Sequence, residues 1–307
     1  MGRMHADEVD IDANLVRGLL AAHFPHWADL PITRVASAGT DNAMFRLGTD
    51  LAVRLPRIAG ATAGITREQQ WLPKLAPHLP VAVPEMIGLG EPTENFPFQW
   101  SVCRWLTGCN PQVDSLAEPE DLAIDLAEFI GALRAVDPTD GPRQSRSGHL
   151  ADRDEATVAA LEAARGLVDI LDADIDALRG IWAEAVTIPG SALRTWAHGD
   201  LSPGNVLIDQ GRLRAVIDFS GVGVGDPTVD LIVAWNLLPA DARPILRAAL
   251  DVDDATWARG RAWALSISAI QLPYYDTTNP ALASNSRHVL AQILADERTV
   301  GRANRRG

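Results

Sequence analysis

The stretch Ala197-His198-Gly199-Asp200-Leu201-Ser202-Pro203-Gly204-Asn205-Val206-Leu207-Ile208, followed by Ala215-Val216-Ile217-Asp218-Phe219, organises the chain. It sets down a carboxylate, an amide five residues later, and a second carboxylate at the end of an apolar run. The residues between, Val206 to Ile217, read as two short strands joined at Asp209-Gln210-Gly211-Arg212. Such a hairpin folds Asp218 back toward Asp200 and Asn205, so three oxygen-bearing side chains are expected to converge. That suits a hard cation such as Mg²⁺, which takes oxygen ligands and shares them with phosphate.

The spacing matches the catalytic loop of protein kinases, where Asp and Asn lie five apart and a metal-binding Asp follows on the next hairpin. His198-Gly199-Asp200 stands where those enzymes have His-Arg-Asp, and Asp218-Phe219-Ser220 where they have Asp-Phe-Gly. With Gly225-Asp226-Pro227-Thr228-Val229-Asp230-Leu231 just downstream, the chain resembles the aminoglycoside and macrolide phosphotransferase family, kinase-like enzymes that phosphorylate small-molecule hydroxyls. The resemblance covers nearly the whole chain, tightly from Trp196 to Leu231.

The resemblance implies an α+β, bilobal, protein-kinase-like fold. An N-terminal nucleotide-binding lobe (1–106) would carry a five-stranded antiparallel sheet. A larger, mostly helical lobe (107–307) would hold the catalytic and substrate-binding groups. It implies ATP or GTP as phosphoryl donor, with Asp200 as the base that orients the acceptor hydroxyl. Asn205 and Asp218 would be the Mg²⁺ ligands. His198 would pack the loop, Ser202 would belong to its structure, and Asp226 and Asp230 would support it.

Upstream, Asp12 is placed to cap a helix running to Phe24, with Leu15, Leu19 and Leu20 on one stripe. Ile32–Ala38 and Ala43–Leu47 read as strands around Ser37-Ala38-Gly39-Thr40-Asp41-Asn42. This turn is either an ordinary hairpin or, by the resemblance, the loop over the nucleotide phosphates, with Ser37, Gly39, Thr40 and Asn42 as its contacts. Leu51–Pro56 is a strand, and Arg54 falls where kinases carry the phosphate-contacting Lys. Arg54 is then either a solvated strand residue or a planar cation suited to phosphate. Thr66 and Gln69 form a candidate capping box opening a helix to about His78, with Glu68 in its first turn. By the resemblance Glu68 is the partner of Arg54. Val81–Leu89 and Phe98–Leu106 complete the sheet, and Arg104 and Trp105 approach the hinge where the family binds the purine; Trp105 reads equally as core.

Beyond Pro111 the pattern is helical: Pro119–Val136, Glu155–Ala164, Leu171–Val186, Thr256–Leu272 and Ala281–Glu297. Asp172, Asp174 and Asp176 begin like a calcium loop but lack its Gly and Glu, and read as a solvated helix start. Asp226-Pro227 is a helix start with Asp as N-cap. Pro273 to Asn279 reads as a polar aromatic loop whose Tyr274, Tyr275 and Asp276 either touch substrate or merely connect helices. The basic tail from Arg298 is expected to fray.

The 307 residues, 47% hydrophobic and 22% charged, are enough for two lobes. A net charge of −13 argues against nucleic acid, which needs clustered Lys and Arg. It is compatible with a cationic substrate. Cys103 and Cys109 sit in no metal pattern, and reduced thiols point to the cytoplasm. Met1–Asp10 lacks a signal-peptide apolar region, and no run reaches membrane-span length. The expected partner is a small molecule, most of all a macrolide or aminoglycoside antibiotic. Alternatives are a choline, homoserine or amino-sugar kinase of the same fold, or a nucleotide-binding pseudokinase. A protein kinase is disfavoured, because no Ala-Pro-Glu motif or long activation segment follows Asp218.

Overall fold

The computed structural model describes residues 9–35, 41–146, 148–167 and 171–303. Ser37, Gly39 and Thr40, expected over the nucleotide phosphates, lie outside them. The chain divides into two compact units: 1–110 with 204–209 and 213–221, and 111–203 with 210–212 and 222–307. The first thus takes up most of the hairpin and Asp218, which lie beyond the boundary at 106/107 expected from the sequence.

The first unit opens with helix α1 (Ala13–His23), capped by Asp12, whose carboxylate accepts from Leu15 N–H at 2.8 Å. Strands β1 (Ile32–Arg34), β2 (Asn42–Leu47) and β3 (Leu51–Pro56) precede helix α2 (Thr62–Leu75). Strands β4 (Met86–Gly90) and β5 (Trp100–Arg104) follow. The five strands form one antiparallel sheet in the order β1-β2-β3-β5-β4. Central β3 is buried along its whole length, so its burial does not alternate as that of a one-faced strand would. Val16, Leu19 and Leu20 of α1 pack with Phe45, Leu47, Val53, Leu55, Trp100 and Val102 of the sheet in one core. Gly90 is required there: a Cβ would lie 2.0 Å from the indole of Trp100, its partner across the ladder. β4 starts only after Pro84, which has no N–H to give a ladder.

Two expectations fail in α2. The helix starts at Thr62, so Thr66 is interior and forms no capping box. Its hydroxyl bonds Gln99 instead, at 3.4 Å. Glu68 therefore sits in the second turn, where burial rather than the helix dipole governs it. Trp105 is not core either: it is half-buried beneath the Arg46 guanidinium, 4.7 Å from the ring centroid.

The second unit holds α3 (Pro119–Ala135), α4 (Asp154–Ala164) and α5 (Asp172–Ala185), then β6 (Thr195–Ala197). The hairpin β7 (Val206–Asp209) and β8 (Arg212–Val216) comes next, mostly in the first unit. Its turn residues Gln210 and Gly211 have φ 49° and 80°, the left-handed pair of a tight two-residue hairpin. β9 (Gly223–Gly225) pairs antiparallel with β6. Helices α6 (Val233–Asn236), α7 (Arg243–Ala249), α8 (Asp254–Tyr275) and α9 (Pro280–Ala303) close the chain. α8 buries five consecutive residues, Ala262 to Ser266, so it is enclosed all round its axis there. Gly260 lets it close on Leu231, whose Cβ would be 2.5 Å from an added methyl.

Here too there are corrections. α8 continues through Pro273 to Tyr275, so Tyr274 and Tyr275 lie in its last turn rather than in a loop. α9 includes the start of the basic tail, running to Ala303, and residues 304–307 of the tail expected to fray lie outside the described residues. Arg298 bonds Asp174 at 2.6 Å, and Asp176 pairs with Arg165, so two carboxylates at the start of α5 stand in ion pairs. Asp226-Pro227 opens a six-residue 3-10 turn (Pro227–Ile232) rather than a regular helix. Among the described residues, no helix is long and apolar enough to cross a membrane.

Candidate active site

In the first unit, the buried Arg54 is the centre of a polar cluster under the sheet. Its Nη1 donates to Glu68 Oε2 at 2.5 Å and its Nη2 to Asp218 Oδ1 at 3.1 Å. With its amide oxygen turned toward the guanidinium, Asn42 accepts from Arg54 Nε and Nη2 at 3.2 and 3.1 Å. Asn42, expected against phosphate, is here bonded to the Arg54 guanidinium. Burial alone would lower the Arg54 pKa, but the carboxylates of Glu68 and Asp218 outweigh it and hold the guanidinium charged. Burial lifts the Glu68 carboxyl above its usual range, against the opposing pull of Arg54.

The hairpin brings Asp218 to this cluster. Cys109 and Ile208 exchange two backbone bonds of 3.0 and 2.8 Å, and Val216 N–H reaches Ala82 O at 3.1 Å. Ile217 N–H donates to Asn205 O at 2.9 Å, which draws the backbone of Asn205 to the neighbour of Asp218. Asp218 itself has φ 61°, a left-handed conformation that costs a non-glycine residue energy and that surrounding structure must enforce. Part of that structure is Gly64 of α2, where a Cβ would fall 2.6 Å from Ser220 Cβ. Nothing in the sequence pattern marked Gly64, since its need arises only from this approach.

Arg104 and Trp105 end the sheet. Arg104 is an exposed side chain beside Glu85, 3.5 Å away, and Trp105 N–H is bonded to Asp50 O at 2.8 Å. Cys103 and Cys109 are both free thiols. Burial first, and then the nearby Glu68 charge, push Cys103 up to about 11. A thiol-specific reagent at pH 8 is therefore expected to titrate one fast equivalent, from exposed Cys109, and both cysteines only in denaturant. Two fast equivalents would contradict the burial of Cys103.

In the second unit, Asp230 fixes the other half of the motif. Its carboxylate accepts from His198 N–H at 2.8 Å and Gly199 N–H at 2.7 Å. It is wholly enclosed, and burial raises its pKa against the pull of His198, these two N–H groups and Arg134. Gly199 has φ 87°, which explains glycine where protein kinases have Arg: no Cβ opposes the left-handed turn. His198 is fully buried, and its Nδ1 accepts from Asp200 N–H at 3.2 Å. Ser202 N–H closes the loop onto Asp200 O at 2.8 Å, and Asn236 Nδ2 holds Leu201 O at 2.9 Å. Asp226 caps Thr228 N–H at 2.9 Å. Sequence reasoning missed Arg146, whose Nη1 bonds Asp200 Oδ1 at 2.7 Å and also the Gly199 carbonyl. It lies in the loop after α3, and no local spacing announces that contact. Tyr274 is 56% exposed and packs edge-on to Tyr275, and Asp276 is paired with Arg287 at 2.5 Å.

Among the described residues no group of three or more His, Cys, Asp or Glu is arranged for a metal. The expected ligand set is different in kind, an amide oxygen with a carboxylate.

Comparison with known proteins places these features in a family. Residues 32–263 match the model of the phosphotransferase enzyme family. Over 78 residues the chain is 36% identical to aminoglycoside 3'-phosphotransferases of Escherichia coli and Salmonella typhimurium, a match spanning 24% of this chain and 29% of each relative. The fold is that of the GDP complex of aminoglycoside 2'-phosphotransferase-IIIa, with a TM-score of 0.75 at 18% identity over 94% of this chain and 100% of that one. It is also that of macrolide 2'-phosphotransferase from Brachybacterium faecium, with a TM-score of 0.59 at 24% identity over 92% and 98% of the two chains. Those relatives carry the kinase-like α+β fold expected from the motif. With the family model covering most of its length, the chain belongs to the phosphotransferase enzyme family.

Proposed function

We propose that this chain transfers the γ-phosphoryl group of ATP or GTP to a hydroxyl of a small molecule in an Mg²⁺-dependent reaction. The observation that carries the reading is the Arg54 guanidinium bonded at once to Glu68 and to Asp218. Such an ion pair serves phosphoryl transfer by positioning and charge rather than by covalent chemistry. In this reading Asp200 orients the acceptor hydroxyl and takes its proton. The acceptor oxygen forms a bond to the γ-phosphorus, the bond from that phosphorus to the β,γ-bridging oxygen breaks, and the nucleoside diphosphate leaves with its electron pair. Asn205 and Asp218 fit Mg²⁺, since both offer oxygen to a hard cation and the Ile217–Asn205 bond ties their backbones together. When bound, that ion supplies positive charge to the phosphate oxygens. Arg54 adds a fixed cation at the nucleotide, and Asp230 keeps the His198–Asp200 turn in shape.

The GDP-bound relative supports GTP beside ATP as donor. The relatives' names support an antibiotic acceptor, an aminoglycoside or macrolide. One observation favours a metabolite instead: the arginine on Asp200. Work in the cytoplasm, where nucleoside triphosphates and reduced thiols coexist, fits both readings.

The test is Mg²⁺-dependent consumption of ATP and of GTP against antibiotics and hydroxylated metabolites, with mass spectrometry for one added phosphate. Asp218→Ala is expected to remove Mg²⁺-dependent nucleotide binding. Unchanged Mg²⁺ dependence in that variant would reject the assigned role, and nucleotide binding without turnover on any acceptor would favour a pseudokinase.

A further inference from the structure

The acceptors in the names of several relatives are aminoglycosides, which carry several amines, and a site for them would be expected to offer carboxylates. The second unit offers the opposite beside Asp200. The Arg146 Nη1 hydrogens go to Asp200 Oδ1 and Gly199 O, and among the described residues Nε and Nη2 meet no protein acceptor. A guanidinium has five N–H donors in a rigid plane, so the outer edge of this one can hold an oxyanion.

A second cation lies near it. Arg153 donates its Nε to Ser266 Oγ at 2.9 Å and lies over the Trp263 ring at 5.2 Å, with no carboxylate bonded to it among the described residues. Burial, and then the like charge of Arg146, pull Arg153 below its ordinary pKa. Of these two guanidinium groups, Arg146 is bonded to a carboxylate, that of Asp200, and Arg153 to a hydroxyl. Meanwhile carboxylates of the terminal helices are already matched by arginine: Asp276 with Arg287 at 2.5 Å, Asp296 with Arg243 at 2.8 Å, and Glu297 with Arg261 at 3.2 Å.

We infer that Arg146, with Arg153 near it, holds an anionic group of the acceptor, a carboxylate or phosphate, beside the hydroxyl that Asp200 orients, and disfavours polycationic acceptors. This rests on Asp200 being the base of the proposed phosphoryl transfer. The oxyanion could come from the acceptor or from the phosphoryl group in transit, and the experiment separates the two.

Gluconate, glucose, glucosamine and kanamycin are compared as probes with ATP and GTP, following both binding and phosphate transfer. The wild-type protein should favour gluconate over glucosamine by about tenfold or more, the scale of one charge-assisted contact. Arg146→Glu should erase or invert that order, Arg146→Lys should restore part of it, and Arg146→Gln should flatten it; thermal melting checks that each variant folds. Preference of the wild type for glucosamine or kanamycin, or the same order in Arg146→Glu, overturns the inference and leaves phosphoryl transfer standing. A rise confined to the nucleotide KM overturns it in favour of the phosphoryl group in transit. If no probe binds, the inference is rejected as well. The wider reading fails separately, when nucleotide binding is indifferent to Mg²⁺ in both the wild type and Asp218→Ala.

Discussion

Asp200→Ala is expected to lower turnover by about 10²–10⁴-fold, the range of a positioned general base, while nucleotide affinity stays within a few-fold of wild type. The split follows from where the side chain stands. The Asp200 carboxylate meets Arg146, whereas the loop that carries it is held by backbone bonds: His198 and Gly199 N–H to Asp230, and Leu201 O to Asn236. Removing the carboxylate leaves those supports in place, so the protein should fold and its melting temperature should change little. Arg54, Asn205 and Asp218, assigned to the nucleotide and its metal, are untouched. Steady-state kinetics with a nucleotide-binding titration on the same preparation would check both halves. Near-full kcat in Asp200→Ala would remove it from the role of base, and lost nucleotide binding would make it a structural residue.

Arg54→Ala is expected to destabilise the protein by about 3–5 kcal/mol, the cost of leaving one member of a buried ion pair alone. Glu68 is the group left behind, 1% exposed and bonded to Arg54 at 2.5 Å. The pH dependence gives this prediction its signature. Burial already lifts the Glu68 pKa in the folded protein, and without Arg54 the lift increases. For a group whose folded pKa is raised, stability is fully present below the unfolded value, about 4.3, and is lost as pH rises through the folded value. The variant's deficit should therefore be smaller at pH 5 than at pH 8 in urea denaturation. Arg54→Ala combined with Glu68→Gln should recover part of the loss by removing the charge. A deficit that is the same at both pH values would show that packing, not the orphaned carboxylate, accounts for it. Activity should fall with stability, because Asp218 loses a partner at 3.1 Å that helps hold its left-handed backbone.

Much was legible in the sequence because its signals are local. Asp12 capped the first helix since an Asx side chain three residues before an N–H reaches it without help from the rest of the fold. The tight turn at Gln210-Gly211 and the strands beside it followed from turn chemistry and apolar runs. The Arg54–Glu68 pair was legible only by resemblance, since 14 residues of chain separate the two groups. Where local signals competed with burial, burial prevailed. Thr66 and Gln69 have the form of a capping box, yet α2 starts a turn earlier with its Gly64 against Ser220. Pro273 has the form of a helix stop, yet α8 carries through it to Tyr275 because the helix is held along its length by packing.

The sequence by itself determined the order of chemical groups, Asp200, Asn205 and Asp218, and with it the resemblance to the family, because these residue types stand at set intervals along one loop and hairpin. Only the tertiary structure decided what surrounds them. Arg146 comes to Asp200 across 54 residues, and Arg54 to Asp218 across 164. Contacts at such separations leave no periodicity or spacing in the chain. They exist because folding brings distant charges together: Arg54 is buried, where an unpaired charge is costly, while Asp218, Arg146 and Asp200 stay partly exposed.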